Sequence, residues 1–342
     1  MEIITHYVTL ICPIYNEEKY IEACVGSILT QDYPQDKIEV LFIDGGSTDS
    51  TREIISVYSS KYPFIKLLTN KFQTTPYALN MGIKESKGDV IMRIDGHSEY
   101  PADYISLLVY NLYHLSADNV GGILNTLPAK DTTVCHAIAI ASSHPFGVGN
   151  SYFRIGIDKV LEVDTVPFGC FRRELFDKIG MFDEYLTRNQ DDEFNARIIQ
   201  NGGKIYIIPS LVINYVARDS ISKMAQMYYQ YGLFKPLVNK KMGSPTTLRQ
   251  FFPALFVLGI IVGAILSLLS SILSLIYFSV LGLYGLISVL SSTIAAVRSK
   301  DWKLIAILPV IFLIIHFNYG WGYLRGLYNV LTKKDFNVNA NR

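Results

Sequence analysis

From Phe251 to Val297 the sequence carries no Asp, Glu, Lys or Arg. A membrane crossing takes about 20 apolar residues, so this stretch is long enough for two, with a turn near Ser267–Ser274. A core helix of a soluble protein would be about half as long. Leu304–Leu331 is a third apolar segment, interrupted by Pro309, Gly320 and Gly322 and carrying Arg325 near its end. Arg298, Lys300 and Lys303 lie between the second and third segments, which puts that loop on the cytoplasmic side. The third segment then either crosses, leaving the tail outside, or lies along the interface. Lys333 and Lys334 favour a cytoplasmic tail, so the two arguments conflict.

Composition agrees with a membrane-attached chain. Of 342 residues, 50% are hydrophobic and only 18% charged, against about a quarter charged in ordinary soluble domains. Aromatic residues make up 13%, which excludes a disordered chain. Beyond residue 250, Lys and Arg outnumber Asp and Glu 7 to 2, whereas before it 24 face 28. An acidic front half excludes generic nucleic-acid binding, which requires a basic face. The cysteines Cys12, Cys24, Cys135 and Cys170 are scattered, with no CxxC, so they read as reduced core thiols. Met1–Thr5 holds no basic region and Val8–Ile14 is too short for a signal peptide, so the front domain is expected to stay cytoplasmic.

The front half alternates short apolar runs with helical patterns, the signature of an α/β sheet. Strands are expected at Val8–Cys12, Val40–Ile43, Ile65–Leu68 and Val90–Ile94. Helices are expected at Glu18–Thr30, from a capping box at Ser50-Thr51-Arg52-Glu53 to about Tyr62, and from Thr75-Pro76 to before Gly88. The pattern then loosens until a helix at Asp191–Asn201, closed by Gly202-Gly203. Four regions follow: a catalytic domain over 1–235, an interfacial connector over 236–250, a membrane region over 251–331 with two to three transmembrane helices, and a polar tail over 332–342.

Ligands of open α/β sheets bind beyond the carboxyl ends of the strands. Three acidic loops fall there: Pro13-Ile14-Tyr15-Asn16-Glu17-Glu18, Asp44-Gly45-Gly46-Ser47-Thr48-Asp49 and Asp95-Gly96-His97-Ser98. The GxGxxG of a dinucleotide fold and the GxxxxGK[ST] of a P-loop are both absent. Acidic loops suit a phosphate only through a metal. Asp95 and His97, two residues apart, can face one divalent ion; oxygen plus imidazole suits Mn²⁺, while Mg²⁺ prefers oxygens.

These loops, in this order, resemble glycosyltransferase family 2. The resemblance runs on through Asn80-Met81-Gly82, Gly88–His97, Phe168-Gly169-Cys170-Phe171-Arg172-Arg173, Gly180–Glu184 and Gln190–Arg197, covering roughly residues 7–235. The Asp-Gly-His variant and the apolar tail are most similar to the bacterial exopolysaccharide, succinoglycan-type branch. The resemblance implies a GT-A fold, an α/β nucleotide-sugar domain on a mixed, mainly parallel sheet, and inverting transfer from a nucleotide sugar, commonly of uridine. It implies Pro13, Tyr15 and Glu17 in the nucleoside pocket, Asp44 on the base or ribose, and Asp95 on ribose and diphosphate. His97 stands where the family's last Asp-x-Asp aspartate would, giving a metal pair of Asp95 and His97 for Mn²⁺ or Mg²⁺. Gly169, Arg197 and Gln230 fall on the acceptor or diphosphate side.

Inversion needs a base to deprotonate the acceptor hydroxyl. Asp191, Asp192 and Glu193 open one helix, where acids also compensate the helix dipole. The family's base precedes an arginine by about six positions, so Arg197 selects Asp191, with Asp192 the alternate. Gln230-Tyr231-Gly232-Leu233-Phe234 resembles the Gln-x-x-Arg-Trp of processive members but lacks its arginine and tryptophan, which points to addition of one sugar. An apolar tail brings a lipid-borne acceptor to high effective concentration, so the acceptor is expected to be a lipid-linked saccharide. A polyprenyl monophosphate acceptor, as in dolichol-phosphate mannose synthases, an inactive scaffold and a membrane-anchored nucleotide hydrolase are the rivals.

Overall fold

A computed structural model describes residues 6–336. The first five residues, and residues 337–342 of the expected polar tail, lie outside the described residues. The chain forms two compact units. One holds the chain up to Asn125 together with Gly156–Tyr215; the other holds Thr126–Ile155 together with the chain from Val216.

The first unit begins with four strands, β1 (Val8–Ile14), β2 (Ile38–Asp44), β3 (Ile65–Thr69) and β4 (Val90–Arg93), joined by helices α1 (Ile21–Leu29), α2 (Thr51–Lys61) and α3 (Thr75–Glu85). They pair in parallel in the order β3-β2-β1-β4. Every residue of β2 is buried, as a strand covered on both faces requires. The β1–β2 register sets Val8 opposite Ile38 and Ile14 opposite Asp44. Both strands therefore end flush, and their loops leave side by side. Gly82 lets α3 lie directly on them: a Cβ there would sit 2.5 Å from Ile11 and 2.9 Å from Ile43.

The chain continues through β5 (Ser98–Glu99), α4 (Tyr104–His114) and β6 (Asn119–Leu127). It then leaves this unit to form α5 (Thr133–Ser142), α6 (Pro145–Val148) and α7 (Tyr152–Ile155). It returns as β7 (Leu161–Glu162), β8 (Cys170–Arg172), α8 (Arg173–Ile179), α9 (Gln190–Gln200) and β9 (Ile205–Val216). Here β8 runs antiparallel to β4 and to β6, and β9 antiparallel to β5 and β7. The sheet is thus mixed, parallel from β3 to β4 and antiparallel where β8 joins.

Two local expectations change. Ser50 stands at the start of α2 but makes no cap hydrogen bond; Asp49 accepts from the Thr51 N–H at 3.1 Å and its hydroxyl at 2.6 Å instead. A carboxylate is the stronger acceptor at a helix N-terminus. The boundary expected at residue 235 runs through the middle of α10 (Ile221–Met242), and Thr126–Ile155 clusters with the C-terminal helices rather than with the sheet. The reason is apolar packing: Ala137, Ile138 and Ala141 of α5 and Met224 and Tyr228 of α10 share a core with Leu308, Ile311 and Phe312.

The rest of the second unit is α11 (Phe251–Ser267), α12 (Ser271–Ser299) and α13 (Leu304–Thr332). By length and composition α12 and α13, 29 residues each, are candidate membrane spans; α11 is shorter, at 17 residues. All four cysteines are free and buried.

Candidate active site

Backbone hydrogen bonds and short side chains fasten the loop after β1 to the loop after β2. The Gly45 N–H donates to the Ile14 carbonyl at 2.9 Å. Asn16, held in the left-handed region at φ 55°, donates its N–H to Ser47 Oγ at 2.9 Å and accepts from the Thr48 N–H at 2.8 Å. The Glu17 N–H donates to Thr51 Oγ1 at 2.7 Å. Pro13 stands opposite Ile43 one residue before the end of β1, and Tyr15 follows the strand half-buried. The first two acidic motifs therefore build one rigid shelf.

Asp44 is the keystone of that shelf. Its fully buried carboxylate accepts from the N–H of Gly46 at 3.1 Å, from the N–H and hydroxyl of Ser47 at 3.0 and 2.6 Å, and from Arg52 at 2.6 Å. Burial alone would raise its pKa, but the Ser47 and Arg52 hydrogen bonds prevail and hold it below the ordinary aspartate value.

The third loop sits between β4 and β5. Arg93 donates its backbone N–H to the Gly169 carbonyl at 3.0 Å, and two residues on stands Asp95. His97 Nδ1 lies 3.1 Å from Glu17 Oε1, and its ring is 5.4 Å from that of Tyr215. A bond from Nδ1–H to Glu17 fixes the tautomer and orientation of the ring. Among the described residues no three His, Cys, Asp or Glu side chains gather closely enough to hold a metal by themselves. With two ligands from the chain, a divalent ion here would take its remaining ligands from phosphate oxygens and water.

The candidate base is reached from the same strand. Arg93 binds both carboxylate oxygens of Asp191, at the start of α9, and its other arm lies 3.6 Å from Asp95. Its guanidinium is 6.0 Å from the Phe168 ring. Asp191 remains 38% exposed while Arg93 is only 12% exposed, so the carboxylate is the more open of the pair. Partial burial pushes the Asp191 carboxyl above the ordinary aspartate value; Arg93 opposes this, and Asp192 and Asp95 add to it. Arg93, Asp191 and Gly169 line one pocket with Phe182 and Asn195. A Cβ on Gly169 would come within 2.2 Å of the Phe171 ring, so the backbone there must pass close.

Other residues of the motifs turn out to hold the frame. Arg197, expected on the acceptor or diphosphate side, makes four hydrogen bonds to protein partners. It grips Glu193 with two bonds of 2.9 and 2.7 Å and donates to the carbonyls of Ile179 at 2.7 Å and Met181 at 2.9 Å. Asn80 ties α3 to the same segment through Phe182 and Glu184. Gln230 lies buried on α10, in the second unit. Sequence reasoning missed Arg93, the cation that does meet Asp191, because 98 positions separate the pair. The Glu193–Arg197 clamp, by contrast, was legible as an i, i+4 pair on α9.

The model of glycosyl transferase family 2 matches residues 9–180, half of the chain and all three acidic loops. The chain is a family 2 glycosyltransferase. Among its relatives, a dolichyl N-acetyl-α-D-glucosaminyl phosphate 3-β-D-2,3-diacetamido-2,3-dideoxy-β-D-glucuronosyltransferase of Methanococcus voltae is 27% identical over 94% of this chain and 97% of its own. The succinoglycan biosynthesis protein ExoA of Rhizobium meliloti is 29% identical over 76% of this chain and 78% of its own. Among solved structures, the mannosyltransferase PcManGT of Pyrobaculum calidifontis, in complex with GDP-Man and Mn²⁺, superposes with a TM-score of 0.59 at 18% identity, covering 96% and 88% of the two chains. The family 2 transferase thus has the GT-A fold in its first unit, with apolar helices appended.

Proposed function

We propose that this transferase moves one sugar, with inversion, from a nucleotide-diphosphate sugar, UDP-hexose, to a lipid-linked saccharide in the synthesis of a surface or exported polysaccharide. The observation that carries this is the juxtaposition of a part-exposed, raised-pKa carboxylate at Asp191 with the Asp95–His97 loop, through the shared Arg93. One side of the site suits a diphosphate and the other a hydroxyl.

In this reading the shelf of Pro13, Tyr15 and Glu17 receives the nucleoside. Asp44 shapes the shelf through the bonds it already makes, so its effect on the nucleotide is exerted through Gly46 and Ser47. Glu17 orients His97. Mn²⁺ or Mg²⁺, held by Asp95 and His97, would neutralise charge on the departing diphosphate. Asp191 removes the proton of the acceptor hydroxyl as its oxygen bonds to the anomeric carbon. The bond from that carbon to the diphosphate oxygen breaks on the opposite face, and the nucleoside diphosphate leaves. Arg93 pins Asp191 in one orientation, so the base need not be ordered during reaction. The enzyme works from the cytoplasmic face of the membrane, its apolar helices keeping it beside a lipid-borne acceptor.

The name of the Methanococcus voltae relative, a transferase acting on a dolichyl-linked sugar phosphate, favours a lipid-linked sugar over a bare polyprenyl phosphate. Asp44, Asp95 and Asp191 are all kept, which an inactive scaffold does not require. The test is release of nucleoside diphosphate from UDP- and GDP-sugars with Mn²⁺ or Mg²⁺, with and without membrane lipid. Release from one donor, stimulated by lipid and abolished by EDTA, supports the proposal. Lipid-independent release would mark a hydrolase, and EDTA-insensitive transfer would remove the metal from the account.

A further inference from the structure

The second unit carries three apolar helices, and their mutual contacts decide how many can cross a bilayer. α11 and α12 run antiparallel. Phe256 stacks on Tyr284 with ring centroids 4.5 Å apart, and Tyr277 lies across Ile260 and Gly263. Their turn at 268–270 is therefore at one end of the hairpin, and the start of α11 lies toward the other. The cationic loop 298–303 follows α12 at that second end, and α13 begins there, with Leu304 and Leu308 in the same core as Ala295 and Ala296 of α12.

The middle of α13 reaches Tyr284, where His316 lies 2.9 Å from the Tyr284 hydroxyl, and its second half then leads back to the start of α11. Gly320 packs on the start of α11, where a Cβ would lie 2.1 Å from the Pro253 carbonyl. Tyr323 meets Phe251 at a ring separation of 5.8 Å, and its hydroxyl accepts from Asn239 of α10 at 3.2 Å. Gly322 and Gly326 press against the carbonyls of Tyr229 and Leu233, also on α10. The second half of α13 thus lies at the end of the hairpin where α10 enters. α10 itself carries Lys223, Lys235, Lys240 and Lys241 and cannot sit in hydrocarbon.

One arm of the hairpin is short, while α12 runs 29 residues. The 17 residues of α11 extend about 25 Å at 1.5 Å per residue, against a hydrocarbon thickness of about 30 Å. Its turn is uncharged and its leucines are bare, with Leu268 85%, Leu269 71% and the neighbouring Ile272 72% exposed. No charge follows before Arg298.

We propose that the protein enters the bilayer from one face only. The α11–α12 hairpin ends among the acyl chains, and α13 lies along the interface beside α10. Lys333 and Lys334 then share a face with Arg298, Lys300 and Lys303, and the conflict among these charges disappears. The occupant of the exposed hairpin surface is lipid, and the inference rests on the membrane reading above.

Single cysteines at the turn (Leu269→Cys, Ser270→Cys), the loop (Lys300→Cys) and the tail (Lys333→Cys, Lys334→Cys) test it in the full-length enzyme, whose own cysteines are buried. Membrane vesicles of both orientations are treated with a membrane-impermeant maleimide. The loop and tail cysteines should react in the same vesicle orientation, and the turn cysteines in neither until detergent is added. A tail reacting from the face opposite the loop means that α13 crosses, and a turn reacting from either aqueous face means that the hairpin tip reaches water; each overturns the proposal. Alkaline carbonate washing comes first. Release of the protein by carbonate would overturn the membrane reading itself, independently of the labelling pattern.

Discussion

Replacing Arg197 by methionine separates its two possible roles. The guanidinium is 20% exposed and its partner Glu193 only 7%. Loss of the cation leaves a buried carboxylate, and the carbonyls of Ile179 and Met181 lose their donor. Breaking a buried ion pair costs about 3–5 kcal/mol, and residual solvent access places this one near the lower end. At about 2–4 °C per kcal/mol for a unit of this size, about 3 kcal/mol lowers the melting temperature by about 6–12 °C. Methionine keeps the stem over Phe194, so packing survives. The double variant Glu193→Gln/Arg197→Met removes the stranded charge and should recover most of the loss. Thermal unfolding in detergent gives the stability, and titration of UDP gives donor affinity in the folded state. A clamp predicts a large thermal shift with donor affinity kept. An unchanged melting temperature with donor affinity down tenfold or more would refute the argument and return Arg197 to the diphosphate.

The raised carboxyl of Asp191 works only when ionised, so turnover should fall as pH drops through a value above the ordinary aspartate range. Asp192→Asn should leave that acid limb in place, as a rate–pH profile would show. Asp44→Asn removes the charge and turns one of the two oxygens that accept from four donors into an NH2 donor in a fully buried site; denaturant unfolding should register a loss of about 2–3 kcal/mol, with weaker UDP binding as the shelf loosens. Because its pKa is depressed, the stability Asp44 contributes is present above the unfolded value and vanishes as pH falls through the folded one, so wild type and variant should converge in acid. Gly169→Ala places a methyl within 2.2 Å of Phe171 and should cost about 1–3 kcal/mol, read in the same unfolding assay.

What could be read from the sequence was what periodicity and short-range chemistry encode. The buried runs of β1 and β2, the acids opening α9 and the uncharged run of α11 and α12 carry their own signatures. β7 and β8, of two and three residues, are too short to show a period; they exist because neighbouring strands supply their hydrogen bonds. α5 and α6 leave the sheet for the apolar helices by joining a core with Leu308 and Phe312, which no local pattern announces. Arg93 reads as the end of a strand; its chemistry comes from an aspartate far along the chain. His316, a polar residue in an apolar segment, gives a clue without its partners. It lies 2.9 Å from Tyr284 Oη and 2.8 Å from the Phe146 carbonyl, an interhelical bridge.

Transfer itself is tested by one measurement. Full-length enzyme and its Asp191→Asn variant are incubated with a radiolabelled UDP-hexose, Mn²⁺ and extracted membrane lipid, and label is counted in the lipid phase. The account requires label in lipid with wild-type enzyme, reduced by about 10²–10⁴-fold in the variant while UDP affinity is retained. Nucleotide released without label in lipid, or equal transfer by both proteins, would contradict it.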